Sequence, residues 1–362
     1  APYWNLNTDV NVQLNWSRHA VVAKTEITAL DRAHIVYTAT LSGLPQQNTN
    51  ISYSIHPPRS KSHLLRSFTF AHWPSTPKYE SREIARFGAI SDNQRELSKF
   101  FKVLKAMTEH HKVDYLIHAG DVVQDYASPM GYFRISQTTP LIYSHGNHDF
   151  DPEGLTPYTG DRHRRTSTSL TGPAKAGVWH AYTLAGVRFI VLDSNVDSVE
   201  QDRWLNAELQ SKETRGAWFR VVVVHISPYT QYWEKEAWVN NGEREWGSFV
   251  RTRYVKEFQE YGVDLVISGH QHNYMRGQDE HMVYTIIGGA GGSLDKEVVE
   301  DYEVWRSMNG GKVKLRHHYV LIKVTGDRRL IWETYDADCG TRLDAFVLHS
   351  RTPEEDLLPE PI

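Results

Sequence analysis

Residues 263–276 read VDLVISGHQHNYMR, an apolar run followed by a polar stretch with two histidines one residue apart. The run Val263–Ser268 is continuous and rich in β-branched residues, a pattern typical of a strand buried on both faces. His270 and His272 therefore follow the carboxyl end of a buried strand, where open α/β sheets place their sites. Because imidazole nitrogens bind borderline cations, this stretch predicts an α/β fold with metal ligands at a sheet edge.

Four further motifs have the same form, because each puts polar side chains at the end of an apolar run. They are Ser91-Asp92-Asn93-Gln94 after Arg86–Ile90, Gly120-Asp121 after Val113–Ile117, Gly146-Asn147-His148-Asp149 after Pro140–Ser144, and His225 after Val221–Val224. If these runs lie parallel in one sheet, all the polar tips emerge at its carboxyl edge. Carboxylates, amides and imidazoles that converge there match the ligand set of two borderline cations.

The first part of the chain, residues 1–78, has a different pattern. Its short strand candidates, separated by turn residues, predict a small β-sandwich. These candidates are Asn11–Trp16, Val21–Ile27, Ala33–Leu41, Ile51–Ile55 and Leu65–Phe70. His72–Lys78, with two prolines, predicts a linker to a second domain at 79–350. Residues 351–362 are acidic and rich in proline, and they predict a flexible tail.

Strands alternate with amphipathic helices from residue 84 onward, which predicts βαβ units with parallel strands. The helical stripes are Leu97, Phe101, Leu104 and Met107, and then Val250, Tyr254, Phe258 and Tyr261. The pattern later returns to strands and predicts the second sheet of an α/β sandwich. These strands are Met282–Gly288, Tyr319–Val324, Leu330–Tyr335 and Asp344–Leu348.

Composition narrows the class of protein. A length of 362 residues favours two domains, and 40% hydrophobic with 23% charged residues is ordinary for a globular protein. The net charge of −4 gives no reason to expect nucleic acid or an anionic membrane as partner. No apolar stretch approaches the ~20 residues of a membrane span. Cys339 is the single cysteine, so no intrachain disulfide can form, and Asn15 and Asn50 lie in sequons for N-glycosylation.

The order of the five motifs resembles the calcineurin-like metallophosphoesterase superfamily over roughly residues 84–350. The segment 269–276, GHQHNYMR, is similar to a signature of the purple acid phosphatase branch, as are residues 225–229, HISPY. Residues 41–45 and 68–70 are similar to the fibronectin-III-like module of that branch. The resemblance implies an N-terminal β-sandwich followed by a four-layer α/β/β/α metallophosphoesterase domain.

The same resemblance implies a centre of two metal ions and assigns its ligands. The first ion would be held by Asp92, Gln94 and His272, the second by Asn147, His225 and His270, and both by Asp121. A shared carboxylate agrees with the chemistry, because two cations about 3.5–4 Å apart need an anion between them. His148 would face the substrate, and Asp149 would lie behind it and orient its ring.

The chain also departs from the purple branch. It lacks the tyrosine that ligates iron there, and Gln94 offers a neutral amide oxygen where many relatives use histidine. The identity of the ions is therefore open between Fe, Mn, Zn and Mg, divalent or of mixed valence.

Several residues have two interpretations at this stage. Tyr229, Trp233 and the basic cluster His163-Arg164-Arg165 are candidates for substrate binding, but aromatic packing and a solvated charge run are the alternatives. For Tyr274 and Arg276, packing behind the site is favoured over substrate contact, and for His118 a core or supporting role is favoured over a ligand role. Asp193-Ser194-Asn195 is interpreted as a structural turn.

The predicted function is hydrolysis of a small-molecule phosphoester. A water between the two ions, its pKa lowered toward ~7, would attack phosphorus in line, and His148 would stabilise the transition state or protonate the leaving oxygen. A phosphomonoesterase is favoured. The alternatives are a phosphodiesterase that uses the same metal set and a non-catalytic binding protein with a vestigial metal site. The sequons and the resemblance favour a secreted or extracytoplasmic location, and the oligomeric state is open.

Overall fold

The computed structural model describes seven stretches in full, and five strands of the N-terminal region by their backbone alone. The seven stretches are residues 83–122, 139–149, 179–195, 197–229, 248–296, 303–306 and 313–350. The predicted tail, residues 351–362, and residues 73–78 of the predicted linker lie outside them.

The N-terminal strands occur near the predicted positions. They are β1 (Asn11–Leu14), β2 (Lys24–Ala29), β3 (Ile35–Thr40), β4 (Thr49–His56) and β5 (Arg66–His72). β4 pairs antiparallel with both β1 and β5, and β2 pairs antiparallel with β3. The strands are therefore confirmed, and their assembly into a sandwich stays a prediction.

The first sheet of the larger region has six strands within the described residues. They are β6 (Glu83–Ile90), β7 (Tyr115–His118), β8 (Leu141–Tyr143), β16 (His318–Thr325), β17 (Arg329–Asp336) and β18 (Arg342–His349). The order is β18-β17-β16-β6-β7-β8, with β6, β7 and β8 parallel and the C-terminal strands antiparallel.

The second sheet has seven strands in the same described part of the chain. They are β9 (His180–Leu184), β10 (Val187–Val191), β11 (Phe219–Ile226), β12 (Leu265–Gly269), β13 (Tyr274–Asp279), β14 (Met282–Ile287) and β15 (Val313–Lys314). The order is β15-β13-β14-β12-β11-β10-β9, and β10, β11, β12 and β14 run parallel.

The expectation that the five motif-bearing runs share one sheet is wrong. The strands before the acidic and amide motifs (β6, β7 and β8) belong to the six-stranded sheet, whereas β11 and β12 belong to the seven-stranded sheet. The strand Met282–Ile287 likewise joins the seven-stranded sheet rather than the other C-terminal strands. A continuous apolar run indicates burial on both faces but does not specify the neighbouring strand. The motifs therefore reach one place from two sheets.

Three hydrophobic clusters hold the layers together. Side chains from both sheets, among them Phe87, Phe189 and Trp332, form one cluster between the sheets. A second cluster packs helices against the outer face of the seven-stranded sheet, and a third packs a helix against the six-stranded sheet. The layers of the described residues therefore follow as helix, sheet, sheet and helix, which is a mixed α/β fold.

The helices in these layers are short. They are α1 (Leu97–Lys105, continued by a π-turn at Ala106–His110), α2 (Val199–Leu209), α3 (Lys212–Arg215), α4 (Val255–Glu260, preceded by a π-turn at Val250–Tyr254) and α5 (Glu303–Arg306). None of the helices in the described part of the chain combines the length and apolar character that a membrane crossing needs.

The inner face of α1 differs from the predicted stripe. Phe100, Val103 and Met107 are fully buried, whereas Leu97 is 38% exposed. Met107 belongs to the predicted stripe and is buried as predicted. Residues 97, 101 and 104 and residues 100 and 103 both lead to it at helical spacing, so periodicity alone does not choose between the two faces. The predicted stripe of the later helix is confirmed at Val250, Tyr254 and Phe258, which are buried.

Candidate metal centre

The polar motifs of the two sheets meet at the carboxyl ends of their parallel strands. Asp92 and Asp121 follow β6 and β7, and His225 lies near the end of β11. One potential ligand atom from each of these residues lies within 4.8 Å of the other two. All three residues are at most 1% exposed. Buried carboxylates this close together need a positive charge among them.

One group of side chains collects around Asp92. The Nε2 atom of His272 lies 3.4 Å from Asp92 Oδ1 and 3.3 Å from Gln94 Nε2. Nδ1 of His272 lies 2.6 Å from the carbonyl oxygen of Ser293. When Nδ1 donates to that carbonyl, the lone pair of Nε2 points toward Asp92 and Gln94.

A second group collects around Asn147. Its Oδ1 atom lies 3.1 Å from His225 Nε2 and 2.9 Å from His270 Nδ1. Nδ1 of His225 lies 2.7 Å from the carbonyl oxygen of Ala119, so the same tautomer leaves its Nε2 facing inward. The two expected ligand groups are therefore brought together as two separate clusters.

The Asp121 carboxylate lies between these clusters. Its Oδ1 atom is 3.3 Å from His225 Nε2, and its Oδ2 atom accepts a hydrogen bond from Gln94 Nε2 at 3.3 Å. Each oxygen therefore faces one cluster, which is the arrangement that a carboxylate shared between two cations requires.

Two buried oxygen atoms at the centre test whether the residues fit a cation. Asp92 Oδ1 and Gln94 Oε1 are both buried without a hydrogen bond. A buried unpaired oxygen is costly, and a cation beside it would remove that cost. Rotating the Gln94 amide by half a turn exchanges Oε1 and Nε2, which would direct its oxygen toward Asp121 and His272. The donor set therefore fits metal ions.

The backbone is strained at three of the expected ligands. Asp92, Asp121 and His270 have φ values of 58°, 57° and 70°, in the left-handed region that residues with a side chain seldom adopt. Asp92 lies two residues after the end of β6, and Asp121 and His270 each follow a glycine directly. Strain of this kind persists where the surroundings enforce it and is concentrated at functional sites.

Two glycines allow the motifs to approach one another. A Cβ atom on Gly269 would overlap Ser91 Oγ and Asp92 Oδ2, and one on Gly146 would overlap the Asp121 carboxylate. A side chain at Gly269 would therefore push ligands of the two sheets apart, and a side chain at Gly146 would separate two neighbouring motifs of the six-stranded sheet.

The ionisable side chains of the site strongly affect one another's pKa values. Burial lowers the pKa of His225, but the adjacent Asp121 outweighs it and raises that pKa to about 9. Burial likewise opposes ionisation of Asp121, but the nearby His225 brings its pKa below the ordinary value. Burial lowers the pKa of His272, but the charge of the adjacent Asp92 carboxylate outweighs it and raises that pKa to about 9. The raised pKa values of these histidines reflect the negative charge that Asp92 and Asp121 concentrate at the site.

His118 supports the site instead of facing it, as expected. The residue is fully buried, and its Nε2 atom lies 2.5 Å from Asn93 Oδ1. Its Nδ1 atom accepts a hydrogen bond from the backbone N–H of Gly120 at 3.2 Å, and Asn93 Nδ2 donates to the carbonyl of Val122 at 3.0 Å. The ring thus connects the loop that carries Asp92 to the loop that carries Asp121.

Asp149 also supports the backbone of the loops, and its expected role of orienting the His148 ring stays a prediction. Its carboxylate accepts hydrogen bonds from the backbone N–H groups of Asp121 at 2.7 Å, Val122 at 2.9 Å and Gly146 at 3.0 Å. These bonds tie the second motif to the third, so Asp149 supports the loop backbone. Burial, followed by the charge of Asp121, raises the pKa of Asp149 to about 6.

His148 borders the centre and is reachable from solvent. Its side chain is 32% exposed, and its Nε2 atom lies 4.0 Å from Asp121 Oδ2. The backbone N–H of His148 donates to Asp121 Oδ1 at 2.9 Å. The residue is therefore attached to Asp121 by its backbone while its ring can meet an incoming molecule.

Other candidate residues lie away from the ligand clusters. Tyr274 and Arg276 pack behind the site, where both contact Asp344. The ring of Tyr229 packs edge-on against Tyr284, with ring centroids 5.0 Å apart. The segment 193–195 forms a turn, with the N–H of Asn195 donating to the Asp193 side chain. His163, Arg164, Arg165 and Trp233 fall outside the described residues.

A glycine-rich loop contacts two of the expected ligands, and the motif analysis did not identify it. Within residues 288–292, GGAGG, the N–H of Gly292 donates to Asp92 O at 2.6 Å and that of Ala290 to Ser91 O at 3.1 Å. A Cβ atom on Gly292 would lie 2.8 Å from ring atoms of His272. The sequence does contain a signal for this loop, namely four glycines directly after an apolar strand. Glycines permit the backbone to approach neighbouring groups closely.

The described residues form a two-sheet α/β fold with nitrogen and oxygen donor atoms clustered at the strand ends. This combination is typical of proteins that bind metal ions. Residues 85–274, which include all seven expected ligands, match the family model described as calcineurin-like phosphoesterase. The match covers more than half of the chain, which therefore belongs to the calcineurin-like phosphoesterase family.

Purple acid phosphatases are among the relatives. A probable inactive purple acid phosphatase 27 of Arabidopsis thaliana is 22% identical over 302 residues, which cover 69% of this chain and 48% of the relative. The Fe(3+)-Zn(2+) purple acid phosphatase 12 of the same plant is 28% identical over 159 residues, 41% of this chain and 32% of the relative. The chain thus spans about half or less of the length of these relatives.

A solved structure has the same fold. The purple acid phosphatase PPD1 from yellow lupin (Lupinus luteus) seeds aligns with a TM-score of 0.73 at 16% identity, over 98% of this chain and 72% of that chain. At this identity the likeness concerns the fold alone. The expected similarity to the purple acid phosphatase branch is confirmed by these relatives together.

Proposed function

We propose that this chain hydrolyses phosphoesters at a centre of two metal ions. The observation that carries the proposal is the Asp121 carboxylate, with one oxygen beside His225 and the other beside Gln94. Asp92, Gln94 and His272 would hold one ion, Asn147, His225 and His270 the other, and Asp121 would bind both. When bound, two such ions activate water near neutral pH and neutralise charge on the phosphoryl oxygens.

His148 is the proposed catalytic residue of the protein itself. Its ring is partly exposed and lies 4.0 Å from Asp121 Oδ2, so a phosphoester at the centre would come within its reach. It would donate a hydrogen bond to the phosphoryl oxygens or a proton to the leaving oxygen. Asp149 and His118 would hold the loops that carry Asp121 and Asn93 in the geometry this requires.

The donor set leaves several metals possible. Four oxygen donors and three imidazoles suit Mn, Fe, Zn and Mg. The Fe(3+)-Zn(2+) relative supports a dinuclear centre, but the missing tyrosine ligand argues against the purple iron form. We propose a small-molecule phosphomonoester as substrate and an extracytoplasmic location.

A non-catalytic metal-binding protein is the second candidate, because relatives described as probably inactive match much of this chain. The complete ligand set argues for catalysis, since loss of a ligand such as Asp121 would be expected in a vestigial site. A phosphodiesterase would use the same ions and the same residues.

A hydrolysis screen separates these possibilities. Metal-free protein is supplemented in turn with Mn²⁺, Zn²⁺, Fe²⁺ or Mg²⁺ and assayed on p-nitrophenyl phosphate and bis-p-nitrophenyl phosphate, with Asp121→Asn as the control. The proposal predicts turnover that depends on added metal, is faster on the monoester and is absent from the control. Faster turnover of the diester would indicate a phosphodiesterase. Metal binding without turnover of either ester would support the non-catalytic alternative.

A further inference from the structure

Each ligand cluster takes residues from both sheets. Asp92 and Gln94 follow β6 of the six-stranded sheet, whereas His272 follows β12 of the seven-stranded sheet. Asn147 follows β8, whereas His270 follows β12. Metal sites tolerate deviations of about 0.2 Å in ligand distance. Ion binding therefore requires that the two sheets keep one relative position.

The hydrophobic core between the sheets does not fix that position alone. Its contacts, such as the ring pair Phe87–Phe189 with centroids 5.1 Å apart, join the sheets by apolar surface. Apolar burial stabilises the sandwich strongly but has no preferred direction. A small sliding of one sheet along the other would lose little burial and would still displace ligands.

A buried polar cluster connects the sheets behind His272. Arg276 on β13 donates to the Asp344 carboxylate on β18 through Nε at 2.6 Å and Nη2 at 3.0 Å. The hydroxyl of Tyr274, also on β13, donates to Asp344 Oδ2 at 2.8 Å. Tyr274 is fully buried, and Arg276 and Asp344 are 7% and 6% exposed. A two-pronged arginine–carboxylate pair is directional, so it does specify a relative position.

We propose that Tyr274, Arg276 and Asp344 form an inter-sheet clamp that positions the histidine ligands against the carboxylates. Tyr274 lies two residues after His272 and Arg276 four, on the strand that continues from the ligand loop. The clamp holds that strand to the six-stranded sheet and thereby sets the affinity of the centre for metal. This inference rests on the proposed function, in which the centre binds metal ions. The three residues act through the ligands and do not contact substrate.

The chain contains a matched ion pair that does not join the sheets. Arg188 on β10 donates to Glu208 on α2 through Nε at 2.8 Å, and its Nη2 atom lies 2.7 Å from the same carboxylate. Both side chains are as buried as those of the clamp, at 2% and 7% exposure. This pair attaches a helix to the seven-stranded sheet alone. Breaking it tests the effect of losing a buried ion pair without disturbing the clamp.

The test is titration of Mn²⁺ into the metal-free full chain by calorimetry, with thermal unfolding measured in parallel. Asp344→Asn is expected to weaken Mn²⁺ binding by about 10–100-fold, the usual effect of losing a partner behind the ligands. Glu208→Gln is expected to lower the unfolding temperature but to leave the affinity of the folded chain unchanged. Equal losses of affinity in both variants would overturn the inference, because the effect would then be general destabilisation.

Two further variants keep the test decisive if Asp344→Asn does not fold. Tyr274→Phe removes one hydrogen bond and should retain the fold with roughly 10-fold weaker Mn²⁺ binding. The triple variant Tyr274→Phe/Arg276→Met/Asp344→Leu replaces the whole cluster by apolar side chains, which often preserves stability. It should recover the unfolding temperature without recovering affinity. Wild-type affinity in either variant would refute the clamp, whereas a wild-type chain that binds no Mn²⁺ would refute the proposed function on which the clamp depends.

Discussion

The two sheets supply different donor atoms to one centre. Loops of the six-stranded sheet carry the oxygen donors, and the seven-stranded sheet carries the nitrogen donors. The oxygen donors are Asp92, Gln94, Asp121 and Asn147, and the nitrogen donors are His225, His270 and His272. Neither set alone resembles a complete site for a borderline cation. The comparison shows that the chemistry of the centre is created where the sheets meet and does not belong to either sheet.

The two sides are also held in different ways. On the oxygen side, the Asp149 carboxylate gathers backbone N–H groups of the loops, so the loop conformation places the donors. On the nitrogen side, backbone carbonyls of Ala119 and Ser293 hold the rings of His225 and His272. Substitutions on the oxygen side should therefore disturb loops, and substitutions on the nitrogen side should disturb single rings.

The largest effect is expected from Asp121→Ala, because this carboxylate faces both clusters. Its loss should release both ions and reduce phosphoester hydrolysis to background. Elemental analysis and activity of the same preparation check this outcome. A variant that retains both ions would show that each cluster binds its ion independently and that Asp121 is not shared.

His148→Ala separates chemistry from metal binding. The ring lies outside both ligand clusters, so the variant should keep its ions and lose about 10²–10⁴-fold in turnover, as expected for a positioned acid or base. If His148 protonates the leaving oxygen, the loss should be large for an alkyl ester and small for p-nitrophenyl phosphate. Equal losses on both esters would indicate charge stabilisation instead, and loss of the ions would place His148 among the ligands.

A smaller effect is expected from Asp149→Ala on the oxygen side. Three loop N–H groups lose their acceptor, so the loops of Asp121 and Asn147 should relax and metal affinity should fall by about 10–100-fold. Calorimetric titration of the metal-free variant measures this. Both ions should be affected, because Asp121 faces both clusters. Unchanged affinity would mean that the loops keep their conformation without the carboxylate.

The smallest effect is expected from Gly292→Ala on the nitrogen side. The added Cβ atom would lie 2.8 Å from the His272 ring, which can rotate slightly to avoid it. The ion held by Asp92, Gln94 and His272 should bind less tightly, and the other ion should be unaffected. Gly216→Ala, at a helix end with φ of −82°, is a control that should leave both affinities as they are. Equal weakening of both ions would contradict the assignment of His272 to one cluster.

Much of the fold was predictable because each motif-bearing strand is a continuous apolar run. The strands β6, β7, β11 and β12 occur where such runs predict them. Their division between two sheets was not predictable in this way, because burial on both faces is the same whichever strand lies alongside. The buried face of α1 was not fully predictable for a similar reason. Two sets of residues have the same helical spacing, and only the packing of the helix against the sheet decides which set is buried.

The order of the motifs predicted which residues collect at the proposed metal centre, whereas the residues that support them were mostly not predictable. His118 was recognised as a supporting residue, but the structural role of Asp149 depends on backbone N–H groups of the Asp121 loop as well as of its own loop, which no local pattern reveals. The supporting role of the GGAGG loop was not predictable either, because its contacts with Asp92 and His272 join positions about 20 to 200 residues apart. Contacts of that kind are set by the packing of the two sheets.

The number of ions per chain tests the account most directly. Protein purified without chelator, or resupplied with Mn²⁺, Zn²⁺ or Fe²⁺, is analysed for metal by elemental analysis against protein concentration. The account predicts two ions per chain, because the ligands form two clusters around one carboxylate. One ion per chain would contradict the shared role of Asp121, and a chain that binds none after resupply would contradict the metal centre altogether.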